Sequence, residues 1–329
     1  KELVVGVLGA GTMGCGIAQV AATAGHHTIL SDSSSSALAK AKDNLEKTFA
    51  KLVEKEKVIA AEAAAILARI QFTDTLSDFK NCGLIIEAVI EDINAKQNLF
   101  GELERVISSE CVLATNTSSL SITSIASSAF NPKRVLGIHF FNPAALMPLV
   151  EIIGGVETLP SLLMEVKALM SKWGKTPVIA KDTPGFIVNR VARPFYGEAI
   201  RIYEEGIADF ATIDAAMRER GFKMGPFELM DLIGNDINYT VTETVWRQMF
   251  YDSRYKPSLT QKRLFEARHF GRKSGRGYYN YTKGAVKAEP KANEELRGII
   301  FIRILSMLIN EAADALYYNM ATKEDLDLA

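Results

Sequence analysis

The chain has 329 residues, with 38 Lys and Arg against 39 Asp and Glu and a formal net charge of −1. That length accommodates two domains with separate cores, and the scattered, balanced charge leaves no basic footprint for nucleic acid. No apolar run approaches the ~20 residues that cross a bilayer, so no membrane association is expected.

The first element is an apolar strand over residues 3–8 that runs straight into Gly9-Ala10-Gly11-Thr12-Met13-Gly14. In this G-x-G-x-x-G, Gly9 permits a tight turn and Gly11 lets backbone amides approach a pyrophosphate. Gly14 lets the following helix lie close on the sheet, with its N-terminal amides aimed at the phosphates. A second strand, 28–31, ends at Asp32, placed to accept from a ribose 2′-hydroxyl. Ser33-Ser34-Ser35-Ser36 offers no cation for a 2′-phosphate, which favours NAD over NADP. A long helical pattern then runs from Ser36 to about Arg69. Further strands are expected over 84–88, 112–115, 135–139, 149–153 and 176–180, several as continuous apolar runs of the kind buried parallel strands require. Residues 1–182 therefore read as an α/β, Rossmann-type doubly wound domain with a helical insertion at about 36–69.

Thr183-Pro184-Gly185 is a helix-start signal, and 183–285 read as an all-α domain for substrate binding and dimerisation. One offset of 113 residues aligns Arg190 with Arg303, Glu198 with Glu311, Ala199 with Ala312, Ala208 with Ala321 and Asp214 with Asp327. Residues 294–329 thus form a partial second helical unit, with Ile302 where the first carries Asn189. The copy stops before any counterpart of Met224-Gly225-Pro226-Phe227-Glu228-Leu229. Its apolar run, Ile299 to Ile302 with Ile304, Leu305, Leu308 and Ile309, needs a packing partner such as Phe195 and Ile202.

The central chemical constellation is His139-Phe140-Phe141-Asn142-Pro143 followed by Glu151. Glu151 interrupts the apolar run Pro148 to Ile153, where an unpaired carboxylate is costly. An imidazole is its nearest plausible partner, and a His–Glu pair fixes the tautomer and stabilises the imidazolium. That is equipment for taking a hydroxyl proton while hydride leaves the same carbon; a structural histidine beside an edge-strand glutamate is the alternative. Ser118, after the strand ending at Thr115, and Asn189 each offer a donor to a developing oxyanion, or else a helix cap and an interdomain hydrogen bond. Glu87 and Glu91 flank the exit of the 84–88 strand with Lys96 on the next helix, a pattern that also suits helix-dipole partners. Arg193, Arg201 and Lys223 are candidate partners for a carboxylate at the far end of a substrate, against a reading as solvated surface. Cys15, Cys82 and Cys111, odd in number and far apart, suit a reducing, cytoplasmic compartment. Neither they nor His26, His27, His139 and His269 have metal-ligand spacing, so no metal is expected. No signal-peptide pattern is present, and the chain begins in its first strand without Met, which reads as trimmed ends.

The glycine motif, Glu87-Ala88-Val89-Ile90-Glu91, Asn116-Thr117-Ser118-Ser119, His139 to Pro143, Thr183 to Arg190, Met224 to Leu229 and Lys273-Ser274-Gly275-Arg276-Gly277-Tyr278 together resemble the L-3-hydroxyacyl-CoA dehydrogenases. The resemblance runs in order from residue 3 to about 281, and the extra helical unit is similar to bacterial members of the 3-hydroxybutyryl- or 3-hydroxyadipyl-CoA dehydrogenase type. It implies NAD-dependent oxidation of an L-3-hydroxyacyl-CoA to the 3-ketoacyl-CoA, with His139 and Glu151 as the catalytic pair and Ser118 and Asn189 supporting the substrate oxygen. It also implies an NAD site lined by Gly9, Gly11, Thr12, Met13, Gly14, Asp32, Glu91, Lys96, Ser118, Asn142 and Lys273. Thr48, Lys55 and Ser118 would contact the CoA moiety, and a homodimer would form through the helical domain. The rival readings are a β-hydroxyacid dehydrogenase acting on free acids and a non-catalytic NAD-binding protein of the same fold.

Overall fold

The computed structural model describes residues 2–286 and 288–329. The chain divides into two compact units, one made of residues up to Phe186 together with Ala321–Ala329, the other of Ile187–Met320.

In the first unit the strands are β1 (Val5–Leu8), β2 (Thr28–Ser31), β3 (Ile70–Thr73), β4 (Leu84–Glu87), β5 (Val112–Thr115), β6 (Val135–Phe140), β7 (Leu149–Gly154) and β8 (Thr176–Lys181). Among the described residues they form one eight-stranded sheet in the order β3-β2-β1-β4-β5-β6-β7-β8. Neighbours are parallel except β6 and β7, which run antiparallel. The sequence reading treated the apolar run at 149–153 as one more buried parallel strand. The link from Phe141 to Pro148 is too short for a parallel crossover, which takes a dozen residues or more, so the strand returns as a hairpin arm.

Helices α1 (Thr12–Thr23), α2 (Ser35–Glu54) and α3 (Ala60–Ala68) cover one face, α4 (Ile93–Leu103) and α5 (Ile122–Ala126) the other, and α6 (Pro160–Lys172) returns to the first. The sheet serves both layers by alternation: Leu84 and Ile86 enter the first core, Ile85 the second. The helical pattern expected from Ser36 to Arg69 is two helices and an edge strand. α2 closes with Glu56 at φ 55, its amide donating to the Val53 carbonyl and that of Lys57 to the Leu52 carbonyl. This is a Schellman closure with glutamate where glycine is customary. Strand order reverses between β1 and β4, which marks the crevice at the carboxyl ends of those strands as the ligand side.

The second unit is helical: α7 (Val188–Val191), α8 (Arg193–Glu204), α9 (Phe210–Arg218), α10 (Pro226–Ile233), α11 (Asn235–Gln248), α12 (Leu259–Glu266) and α13 (Glu294–Tyr317). Ile300 and Ile304 of α13 join Phe195, Ile202, Met217 and Phe227 in its core. The internal repeat is visible in the backbone. Gly206 and Asn319, 113 residues apart, both close a helix at positive φ, and Asp209 and Thr322 both cap the next one by accepting from the third amide, that of Thr212 or Asp325. The copied helix α14 (Lys323–Leu328) belongs to the first unit, where Asp325 accepts from the β8 amide of Ile179 and pairs with Lys167.

The repeated charges pair reciprocally. Arg190 meets Glu311 at 2.6 Å and Arg303 meets Glu198 at 2.6 Å, the pattern of a two-fold interface formed inside one chain. Arg190 and Glu311 are almost fully buried, whereas the Arg303 side chain is a third exposed. Losing one partner of a buried pair costs about 3–5 kcal/mol, an exposed one about 1 kcal/mol or less. Arg190→Met should therefore lower stability in urea denaturation by the larger amount and Arg303→Met by the smaller; equal losses would contradict this packing.

Candidate active site

At the end of β1 the chain turns through Gly9, held at φ 94, where a Cβ would stand 2.6 Å from the Ala88 carbonyl oxygen. At Gly14 a Cβ would come within 1.7 Å of the Gly9 carbonyl oxygen, so α1 can start this close to the strand only on glycine. Around Gly11 the space is open, and α1 begins there without a side-chain cap. Its first-turn amides are left to an anion. Asp32, at the end of β2, accepts from the Ala10 amide at 2.8 Å and from the Ser34 amide at 2.9 Å. Each carboxylate oxygen keeps a second acceptor site, so Asp32 can brace the glycine loop and still receive a ribose hydroxyl. Met13 lies on the inner side of the same helix and packs against the core.

A cleft of about 870 Å³ joins these groups, lined by Gly11, Thr12, Asp32, Thr48, Lys55 and Asn142. The open glycine, the uncapped helix and the acid fit a dinucleotide. Thr48 spends its hydroxyl proton on the Asn44 carbonyl at 2.7 Å. The sequence reading missed Lys40, Lys51 and Lys57, which line the same cleft. Helical spacing from Lys51 to Lys55 was the available signal.

Glu91, Lys96 and Ser118 gather in a second cluster. Lys96, 1% exposed, contacts Glu87 at 2.6 Å and Glu91 at 3.4 Å. Glu87 is fully buried and also accepts from the Val89 amide and the Thr115 hydroxyl. Glu91 accepts from the Thr117 hydroxyl at 2.6 Å and from the Ser118 and Ser119 amides at 3.0 Å each. Burial pushes the Glu91 carboxyl up, but Lys96 and these donors outweigh it and hold it below the ordinary carboxylate range. Glu87 was thus misjudged as a helix-dipole partner; it is the buried counter-charge that keeps Lys96 in place.

His139 and Glu151 are directly opposite residues of the antiparallel β6–β7 pair. Opposed side chains on one face lie close together, and His139 Nδ1 meets Glu151 Oε2 at 2.6 Å. His139 is 5% exposed and Glu151 fully buried. The Phe141 and Phe186 rings flank the imidazole at 4.6 and 5.8 Å. A carboxylate only accepts, so Nδ1 carries the proton and Nε2 keeps the lone pair. Asn116 holds the strand end by accepting from the Phe140 amide at 2.8 Å. Asp182, also missed, accepts from the Ser121 hydroxyl and the Ile122 and Thr123 amides, tying the start of α5 to the end of β8. In the second unit, Asn189 lies in α7, and Lys273 is paired with Asp236 at 2.6 Å.

Comparison with known proteins gives two family matches: "3-hydroxyacyl-CoA dehydrogenase, NAD binding domain" over residues 4–183 and "3-hydroxyacyl-CoA dehydrogenase, C-terminal domain" over 185–281. The chain is 44% identical to the 3-hydroxyadipyl-CoA dehydrogenase of Escherichia coli (strain K12) over 278 residues, which is 84% of this chain and 58% of that protein. It therefore spans little more than half of that relative's length. It is 40% identical to the 3-hydroxybutyryl-CoA dehydrogenase of Clostridioides difficile, over 84% of this chain and 99% of that one. The crystal structure of 3-hydroxybutyryl-CoA dehydrogenase from Escherichia coli K12 superposes with a TM-score of 0.94 at 34% identity, covering 100% of this chain and 88% of that one.

With Asp32 at the ribose and no cation beside it, NAD should exceed NADP in kcat/KM, and Asp32→Ser should narrow the ratio. Equal efficiency with both cofactors in the unaltered protein would refute this role for Asp32.

Proposed function

The chain belongs to the 3-hydroxyacyl-CoA dehydrogenase family, and from that premise we propose how its own residues oxidise an L-3-hydroxyacyl-CoA to the 3-ketoacyl-CoA with NAD. The observation that carries the assignment is the buried His139–Glu151 pair. His139 Nε2 accepts the proton of the 3-hydroxyl as the C3–H bond breaks. Bound NAD supplies the acceptor for the hydride that leaves C3. Glu151 holds the imidazolium that results, and its fixed charge means little has to reorganise during the step. Ser118 and Asn189 donate to the 3-oxygen as it becomes a carbonyl.

The glycine loop and Asp32 hold the pyrophosphate and the adenosine ribose, and Glu91, Lys96, Asn142 and Lys273 complete the NAD site. Thr48 and Lys55 receive the CoA moiety, supported by the lysines that share their cleft. A non-catalytic NAD-binding module has no use for a buried His–Glu pair, and an enzyme for free acids has no use for this basic rim. Three free cysteines suit a reducing compartment, and we place the protein in the cytoplasm. The far side of α13 leaves Ile299, Ile302 and Ile309 more than half exposed, and we assign the homodimer contact to this face. Light scattering should then give twice the 36.1 kDa chain mass, and a single-chain mass would refute that contact.

The test of the activity is oxidation of NADH with acetoacetyl-CoA, followed by absorbance. His139→Gln should lower turnover by ~10²–10⁴-fold while NADH still binds with near-normal affinity by fluorescence titration. A variant that keeps most of its turnover would sink the assignment.

A further inference from the structure

Arg193 opens α8 one helical turn after Asn189 and is 7% exposed. Its Nε donates to the Asn189 carbonyl at 2.9 Å, its Nη1 to the Thr242 hydroxyl at 3.1 Å, and its guanidinium stands 4.9 Å from the centre of the Tyr196 ring. All three partners are neutral. Among the described residues no carboxylate pairs with it, whereas Arg190, Arg201, Arg254 and Arg303 of the same unit each have one. A buried cation without a counter-charge is costly, by several kcal/mol even after relaxation, on the order of the penalty for any unpaired buried ion. Burial pushes this guanidinium below its ordinary pKa, with Tyr196 opposing.

The same side chain lines a cavity of about 590 Å³ together with Tyr196, Thr242, Trp246 and Gln261. Donors exceed acceptors there. Trp246 Nε1 is buried with no acceptor among the described residues, and so is Nδ2 of Asn238, whose Oδ1 is taken by Gln261 Nε2 at 2.7 Å. The wall's carboxylates are engaged elsewhere: Glu204 accepts from Thr260, and Glu243 pairs with Arg247. Of the other cations the sequence offered for a terminal carboxylate, Arg201 is held by Glu198 at 2.8 Å and Lys223 is exposed to solvent.

We propose that this cavity receives the terminal carboxylate of the acyl chain on Arg193, so that the substrate class is the CoA thioester of a 3-hydroxy dicarboxylic acid. The inference rests on the reading of Asn189 as a contact of the substrate's 3-oxygen. Arg193 lies on the same helical side one turn further on, within the reach of a short acyl chain. Arg193 is the specificity residue in this scheme, and Thr242 positions it.

The test compares CoA thioesters of 3-hydroxyadipic and 3-hydroxyhexanoic acid, chains of equal length that differ only in carboxylate against methyl. The unaltered full chain should favour the diacid in kcat/KM by ~10- to 100-fold, the worth of a charge-assisted hydrogen bond. Arg193→Met should erase that preference, and Arg193→Lys should keep part of it. A ratio near one in the unaltered chain, or equal losses on both thioesters in Arg193→Met, overturns the proposal. Should Arg193→Met fail to fold, the terminal amide of the adipyl thioester asks the same of the unaltered chain: it should lose the advantage, and parity with the acid overturns the proposal. Turnover of neither thioester overturns the dehydrogenase reading itself, which separates that failure from this one.

Discussion

A carboxylate with no solvent exposure cannot stay ionised in a sheet unless something nearby donates to it, and Glu151 is in that position. Its donor is the imidazole across the β6–β7 ladder, and the register of that ladder leaves no freedom in the choice. A slip of one residue would turn Glu151 to the opposite face and leave both groups unpaired. The short hairpin link fixes the register, and the flanking Phe141 and Phe186 rings limit the rotation of the ring. Strand pairing, burial and tautomer are therefore one constraint, and the basic nitrogen of His139 is its product.

The same rule, that a buried charge needs a partner, organises the rest of the molecule. Lys96 is tolerated between β4 and α4 because Glu87 and Glu91 receive it, and Glu91 in turn gathers the amides after β5. In the helical unit Arg190 and Glu311 neutralise each other beneath Tyr255. Arg193 breaks the rule. Its partners are a carbonyl, a hydroxyl and an aromatic face, which soften the burial of a cation without balancing its charge. An exception of this kind is more economically explained by a ligand than by folding.

The parts of the site that sequence made legible are those whose chemistry is local. The glycine loop, Asp32 and the polar residues interrupting apolar runs, His139 and Glu151, declare themselves because each is an odd residue in a regular pattern. Contacts that depend on topology were not legible. Glu87 resembles any helix-start acid until Lys96 is seen folded beneath the sheet edge, and Asp182 precedes a domain boundary without hinting that it caps α5. β3 is a short edge strand with Gln71 exposed and Phe72 half-buried, so its four residues carry no clear alternation. The break after α2 is hidden because Glu56 occupies the left-handed position that glycine or asparagine would have flagged. The direction of β7 is set by the length of a link rather than by its own apolar residues.

The central claim is that Glu151 fixes His139 with its proton on Nδ1 and its lone pair on Nε2. The most direct measurement is a long-range proton–nitrogen correlation spectrum of protein labelled with nitrogen-15 in its histidines, assigned with His139→Gln, above the pH at which the ring protonates. The account predicts that the His139 signals show a protonated Nδ1 and an unprotonated Nε2, and that Glu151→Gln loosens this preference. A His139 ring protonated on Nε2 in the unaltered protein would contradict it.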